Sequence, residues 1–343
     1  SWHLAGADNN WTGGDGSINA AYADGTFAIF AGAAGTVTVD NSGGAVTATG
    51  MQFATDGYTI DGAPLTLVGP QSLIRVGDGT AAGAGYTATI AADLTGASQL
   101  VKTDAGTLVL TGSNSYTGGT LISGGVLSVE NDSFLGDAAG AVTLDGGTLR
   151  MTGANAASVH IYNLGTNGGA IDIANAATSN GVLNAMTGSG GLTKLGAGAL
   201  ALAADNGYTG GTTIAEGTLQ VGSNSGTTGS IVGDVVNNDR FVIFRSNAYT
   251  YAGSITGTGR VSVTGTGVTT LTGNSNYGGG TTINGTGGEL RIAGGANVVS
   301  GGSTTMGRST LTVDGANTVF STTAVGGGNI PFAGSTIVNV TDG

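Results

Sequence analysis

The side chains able to do acid–base or nucleophilic chemistry are few and scattered. The chain has two histidines, His3 and His160, and three glutamates, Glu130, Glu216 and Glu289. A Ser-His-Asp arrangement needs a histidine positioned between its partners. His160 sits in the alternating run Ser158-Val-His-Ile-Tyr162, which reads as an ordinary strand face, and His3 lies in a stretch expected to fray. Sugar-cleaving sites need paired carboxylates, or Ca²⁺ with an Arg or Lys base. The sequence has no Asp-Asp pair, and Glu216 and Glu289 fall at corresponding places beside a closing strand, where they read as turn residues. Only Asp residues converging from separate parts of the chain would change this, so no enzyme is expected.

Cofactor chemistry has equally little to stand on. There is no Cys for a thiolate metal site and no Gly-Lys dipeptide to begin a P-loop. Gly13-Gly-Asp-Gly-Ser-Ile18 and Gly77-Asp-Gly79 share the Gly-Asp content of calcium-binding β-rolls, but no run of nonapeptides follows, so both read as turns. Thr-x-Thr pairs, such as those beginning at Thr36, Thr47, Thr87, Thr256, Thr264 and Thr310, lack the regular spacing of an ice-binding array. No cofactor and no metal are expected. The segment Asn237–Tyr251 is compositionally distinct, with two of the nine basic residues and four aromatics. Arg240, Phe244, Arg245, Tyr249 and Tyr251 are its candidate contact residues, because exposed Arg and aromatic side chains dominate protein interfaces. The plainer reading is a coil whose Phe241 and Ile243 pack inward while Arg240 and Arg245 decorate the face.

The elements that must position these residues follow from composition. Of 343 residues, 69 are Gly and 3 are Pro; 39% are hydrophobic and only 9% charged. Hydrophobicity this high argues against disorder, and the glycines lack the period of collagen. Interior Gly costs a helix about 1 kcal/mol each, which leaves an all-β chain of short strands and Gly-rich turns. A net charge of −12 with nine Lys and Arg gives no basic footprint, so nucleic acid and anionic membrane surfaces are not expected partners. Residues 1–30 lack the basic and apolar segments of a signal peptide.

Internal repeats organise the chain. Tyr116-Thr-Gly118-Gly119-Thr, Tyr208-Thr-Gly210-Gly211-Thr and Tyr277-Gly-Gly279-Gly280-Thr each sit between alternating strands, within stretches 94–130, 186–222 and 255–293. These tyrosines and glycines form a structural signature, with the tyrosines read as corner packing. The tyrosines are 92 and 69 residues apart, four and three times 23, as a solenoid of about 23 residues per coil and about 15 coils would give. Runs such as Thr36-Val-Thr-Val39 and Thr148-Leu-Arg-Met151 bury alternate residues. The reading is a parallel β-helix, aliphatic inside, with Thr, Asn, Asp and Gly outside. Leu108, Leu200 and the run around Leu271 are expected on one interior side.

The run Gly-Leu-Thr-Lys-x-Gly-x-Gly-x-Leu-x-Leu-x-x-x-Asn-x-Tyr-Thr-Gly-Gly-Thr-x-Ile at Gly191–Ile214 resembles the autotransporter-associated β-strand repeat of Gram-negative passenger domains. Asn10-Trp11-Thr12, Gly25–Phe30 and Gly50–Ile60 are similar to the opening coils of such passengers; the third repeat departs, with Val263 in place of the Lys. The resemblance implies a right-handed parallel β-helix, single-stranded and continuous over 1–343, with N-terminal coils in 1–90 and further, truncated coils in 294–343. It implies secretion across the outer membrane and display on the bacterial surface or release. The expected partners are passengers on neighbouring cells, or a host surface protein or glycan, together with the rest of the same chain, including a C-terminal translocating β-barrel. Adhesion, aggregation and biofilm growth are the expected roles; a passive stem carrying a distal effector is the alternative, and a polysaccharide-acting enzyme the remote one.

Overall fold

The computed structural model describes residues 1–4, 11, 22–153, 157–223, 226–323, 325–326, 332–333 and 337–340. The run Gly13–Ile18 lies outside them. The chain forms two compact units, 1–153 with 158–165, and 154–157 with 166–343. Each is a parallel β-solenoid. Turns average about 22 residues, and there are about 13 of them.

In the first unit one sheet stacks Thr36–Val39, Thr59–Gly62, Thr87–Ile90, Thr107–Leu110, Val126–Val129 and Thr148–Met151. A second stacks Thr26–Phe30, Thr47–Phe53, Gln71–Val76, Gln99–Thr103, Thr120–Ile122, Val142–Leu144 and Tyr162–Leu164. The parallel register places Ala88, Leu108, Leu127 and Leu149 in one column and Ile90, Leu110, Val129 and Met151 in another, all buried. Each fully buried aliphatic side chain contributes about 1.5–3 kcal/mol, so this ladder is the core. Over the first coils Trp2, Trp11, Tyr22, Phe30, Phe53 and Tyr58 form an aromatic cluster; Trp2 meets Tyr22 edge-on at 5.1 Å, and Phe30 stacks on Phe53 at 5.1 Å.

In the second unit one sheet runs from Gly169–Ile173 through Leu192–Leu195, Thr212–Ile214, Val235–Asn237 and Ile255–Gly257 to Ile337–Val340. Another runs from Ser179–Val182 through Ala199–Leu202, Thr218–Val221, Arg240–Phe244, Arg260–Thr264 and Thr281–Asn284. A third begins at Tyr249–Tyr251 and continues through Val268–Leu271 and Glu289–Ile292.

Coil length varies from turn to turn, and this shifts the repeats. Leu200, Leu219, Phe241 and Val261 are successive partners, so coils take 19, 22 and 20 residues. Three coils from Leu200 end at Val261, ten residues short of Leu271. Leu108, Leu200 and Leu271 are all buried, but they lie in three different sheets, those of Thr107–Leu110, Ala199–Leu202 and Val268–Leu271. The 69-residue repeat spacing is therefore three coils plus one side, and the third repeat starts one sheet further round than the second.

Candidate binding face

The repeat signature is built for stacking, not for ligands. Tyr116, Tyr208 and Tyr277 are fully buried, and each hydroxyl meets the threonine four residues on, Thr120, Thr212 or Thr281, at 2.7 Å. A Cβ on Gly118, Gly210 or Gly279 would come within 2.4, 2.3 or 2.5 Å of backbone in the adjoining coil. Gly119 and Gly211 turn the chain at φ +78° and +77°, the left-handed region that glycine enters without cost. Gly280 fits closely against the Ser303 carbonyl.

Two residues of the motif do work that sequence reasoning missed. Lys102 is buried and its Nζ donates to the carbonyls of Thr103, Asp104 and Gly124 at 2.7, 2.9 and 3.2 Å. Lys194 repeats this on Leu195, Gly196 and Glu216 at 2.6, 2.7 and 3.2 Å. Burial lowers both ammonium groups to about 8, while three carbonyls absorb all three donors. The amide of Asn114 reaches both ways, accepting from Leu94 N–H at 2.9 Å and donating to Phe134 O at 2.7 Å. Asn206 does the same between Met186 and Ser230. The available signal was a lysine at an inward place of an alternating strand, and Val263 at the matching place of the third repeat.

The residues weighed for chemistry are spread apart or locked. His160 is not on an open strand face: Ser158, His160 and Tyr162 point inward, and Val159 and Ile161 are left exposed. Asp132 causes the inversion, because its buried carboxylate takes His160 Nδ1 at 2.6 Å, Tyr162 OH at 2.6 Å and Val159 N–H at 3.1 Å. The Ser158 hydroxyl bonds to Tyr162 at 3.1 Å. Glu130 and Glu216 are exposed, and Glu289 pairs with Arg291 at 3.2 Å. Asp78 of Gly77-Asp-Gly79 accepts from the Thr80 amide and hydroxyl, as in an ordinary Asx turn. Among the described residues no cluster of three or more His, Asp or Glu could hold a metal.

The Asn237–Tyr251 segment divides in two. Along Arg240–Phe244 the alternation holds: Phe241 and Ile243 are buried inward, while Arg240, Val242 and Phe244 face out. At Arg245 the strand ends and the alternation ends with it. Arg245 is buried, donating to the carbonyls of Gly229 and Thr227 and to Asn247, with its guanidinium 5.0 Å from the Tyr249 ring centre. Tyr249 and Tyr251 are buried too, and Tyr251 OH donates to Gly233 O at 2.7 Å. These three fasten a loop, so of the five candidates only Arg240 and Phe244 can meet a partner.

Those two border a groove of about 600 Å³ on the outer side of the second sheet. Val242 is its floor, and Thr218, Gln220, Thr264 and Asn284 from neighbouring strands supply hydroxyls and amides. The face can hold an extended polar ligand through many side chains; it has no deep apolar pocket.

Residues 100–129, 192–221 and 262–292 match the passenger-associated transport repeat, each inside one of the three stretches read from the sequence. The chain is 50% identical over 244 residues, 71% of its length, to the adhesin BmaC autotransporter of Brucella suis biovar 1 (strain 1330). It spans 7% of the length of that relative. No solved structure matches. Three transport repeats, wound into a parallel β-solenoid and joined to that likeness, make this chain part of the passenger of an autotransporter.

Proposed function

We propose that this part of the passenger is adhesive: displayed on, or released from, a Gram-negative surface, it attaches the cell to host cells or other surfaces and promotes aggregation and biofilm growth. The observation that carries this reading is the 50% identity to a protein named as an adhesin. The solenoid supports it by offering long outer columns in register, such as Thr193, Thr213, Val236, Thr256, Asn276 and Val299. Contacts spread along such a column suit many weak hydrogen bonds with a second passenger or a host surface protein or glycan. On this reading the chain adheres rather than catalyses, and inward polar groups such as Lys102, Lys194 and Asp132 serve to hold coils together. A passive stem presenting a distal effector is the second reading, favoured by the small share of the relative that the chain spans. Displaying residues 1–343 on a non-aggregating host tests the choice: faster settling and retention on epithelial cells support adhesion, and unchanged settling and retention support the stem.

A further inference from the structure

Arg240 and Arg260 are direct register partners on neighbouring strands of the second unit. Adjacent strands lie about 4.8 Å apart, both side chains are exposed, and neither guanidinium has a hydrogen bond or ion pair among the described residues. Like charges directly opposite each other cost stability, so the fold alone gives no reason for the pair. Arg75, Arg245 and Arg291, by contrast, all have acidic partners. Among the described residues the nearby Asp239 forms no ion pair with either arginine; its carboxylate accepts from Gly217 N–H at 2.7 Å.

We propose that Arg240 and Arg260 form the acid-recognition end of a glycan site, binding the carboxylate or sulfate of one acidic sugar while the adjoining neutral sugars lie along the groove toward Phe244. Two guanidinium forks converging on one oxyanion give charge-assisted, directional hydrogen bonds. Phe244 projects from the same strand face about 13 Å away at 3.3 Å per residue, a span of two to three pyranose rings, and its half-buried ring offers a stacking surface. Gln220 stands level with Val242, midway between the two ends, and Thr264 and Asn284 stand level with Phe244; their amides and hydroxyl suit sugar hydroxyls. A peptide fits less well. Peptide recognition by sheets uses a free strand edge or an apolar pocket, and Arg240–Phe244 is already paired on both sides, with Thr218–Val221 and Arg260–Thr264. A dense polyanion fits less well again, because a protein of net charge −12 repels it at long range. The ligand is therefore an oligosaccharide with an isolated acidic residue.

This inference rests on the adhesive reading, and the test separates the two. Purified protein is titrated with sialyllactose, sulfated lactose, lactose and a glutamate-rich peptide, observed by ligand-line broadening in NMR. At least one acidic sugar should bind about tenfold or more tightly than lactose, and whether the carboxylate or the sulfate probe does so identifies the acid. Arg240→Gln with Arg260→Gln should abolish the preference, while Arg308→Gln, an exposed arginine elsewhere, should leave it intact. Equal binding of lactose, equal or tighter binding of the peptide, or a preference that survives the double substitution overturns the proposal. Attachment by the displayed protein that persists without any acidic-sugar preference removes this inference alone. Acidic-sugar binding without attachment keeps the site and removes the adhesive reading.

Discussion

His160 Nδ1 lies 2.6 Å from Asp132 Oδ2, and both side chains are buried. Burial opposes charge on each, but the bonds outweigh it. Hydrogen bonds from His160, Ser158 and Tyr162 hold Asp132 below its ordinary 3.8, and Asp132, helped by Asp137, holds His160 above 6.5. The imidazolium's contribution is complete below 6.5 and is lost as pH rises through its elevated folded value. The carboxylate's is complete above 3.8 and is lost as pH falls through its depressed folded value. The pair should therefore contribute most between about pH 4 and 6.5. Denaturant midpoints of the wild type and Asp132→Asn, measured across pH, should differ most in that window and converge on both sides; a difference that stays flat with pH would refute the linkage.

Lys194 makes a second prediction with the opposite slope. Its folded value of about 8 lies below the ordinary 10.5, so above about 8 the folded state sheds a proton that the unfolded chain retains. Stability contributed by this group then rises with pH until the unfolded lysine also titrates. Lys194→Met removes the titration and leaves three carbonyls without their donor, at a cost of about 1–3 kcal/mol near neutral pH. Urea midpoints at several pH values give both numbers. A wild type and variant of equal stability near neutrality would show the carbonyl cradle to be dispensable.

Why were some of these features legible and others not? Alternation in Thr148-Leu-Arg-Met151 and the Gly-Gly-Thr corners reflects local geometry, so parallel coils could be read directly. Register depends on loop length, which varies from coil to coil, and a common divisor of 23 concealed that Leu108, Leu200 and Leu271 fall in three different sheets. Lys102 and Asp132 were missed for another reason. Charged residues are almost never fully buried unless paired, and the partners that complete each site, Gly124 for Lys102 and His160 and Tyr162 for Asp132, lie 22, 28 and 30 residues away, contacts that exist only after stacking. Arg245 likewise looked exposed because the end of its strand, where alternation stops, cannot be fixed from composition.

Gly210 tests the close approach of coils. A Cβ there would sit 2.3 Å from Gly191 N and 2.4 Å from Gly190 C, whereas one on Gly207, three residues earlier, meets nothing within 4 Å. Gly210→Ala should lose about 1–3 kcal/mol through forced backbone displacement, and Gly207→Ala should change little. Thermal melts followed by circular dichroism are sufficient to compare them. Equal melting of the two variants would mean that the corner has room to give.

The most demanding prediction concerns the inside of the second unit. Leu200 is fully buried and stacks in register between Asn180 below and Leu219 above, while its neighbour Ala201 faces outward between Gly181 and Gln220. Leu200→Asp removes the aliphatic rung and places a carboxylate in the buried interior, an effective penalty of several kcal/mol. Ala201→Asp sets the same group in water and should stay within about 0.5 kcal/mol of the wild type. Because each coil is held chiefly by its neighbours, the damage from Leu200→Asp should be local. Limited proteolysis with mass mapping should find new cuts between about residues 180 and 240, spanning the coils on either side, with the Leu108 ladder still protected. Equal protection of both aspartate variants would contradict the inward rung at Leu200, and cutting throughout both units would contradict neighbour-limited stability.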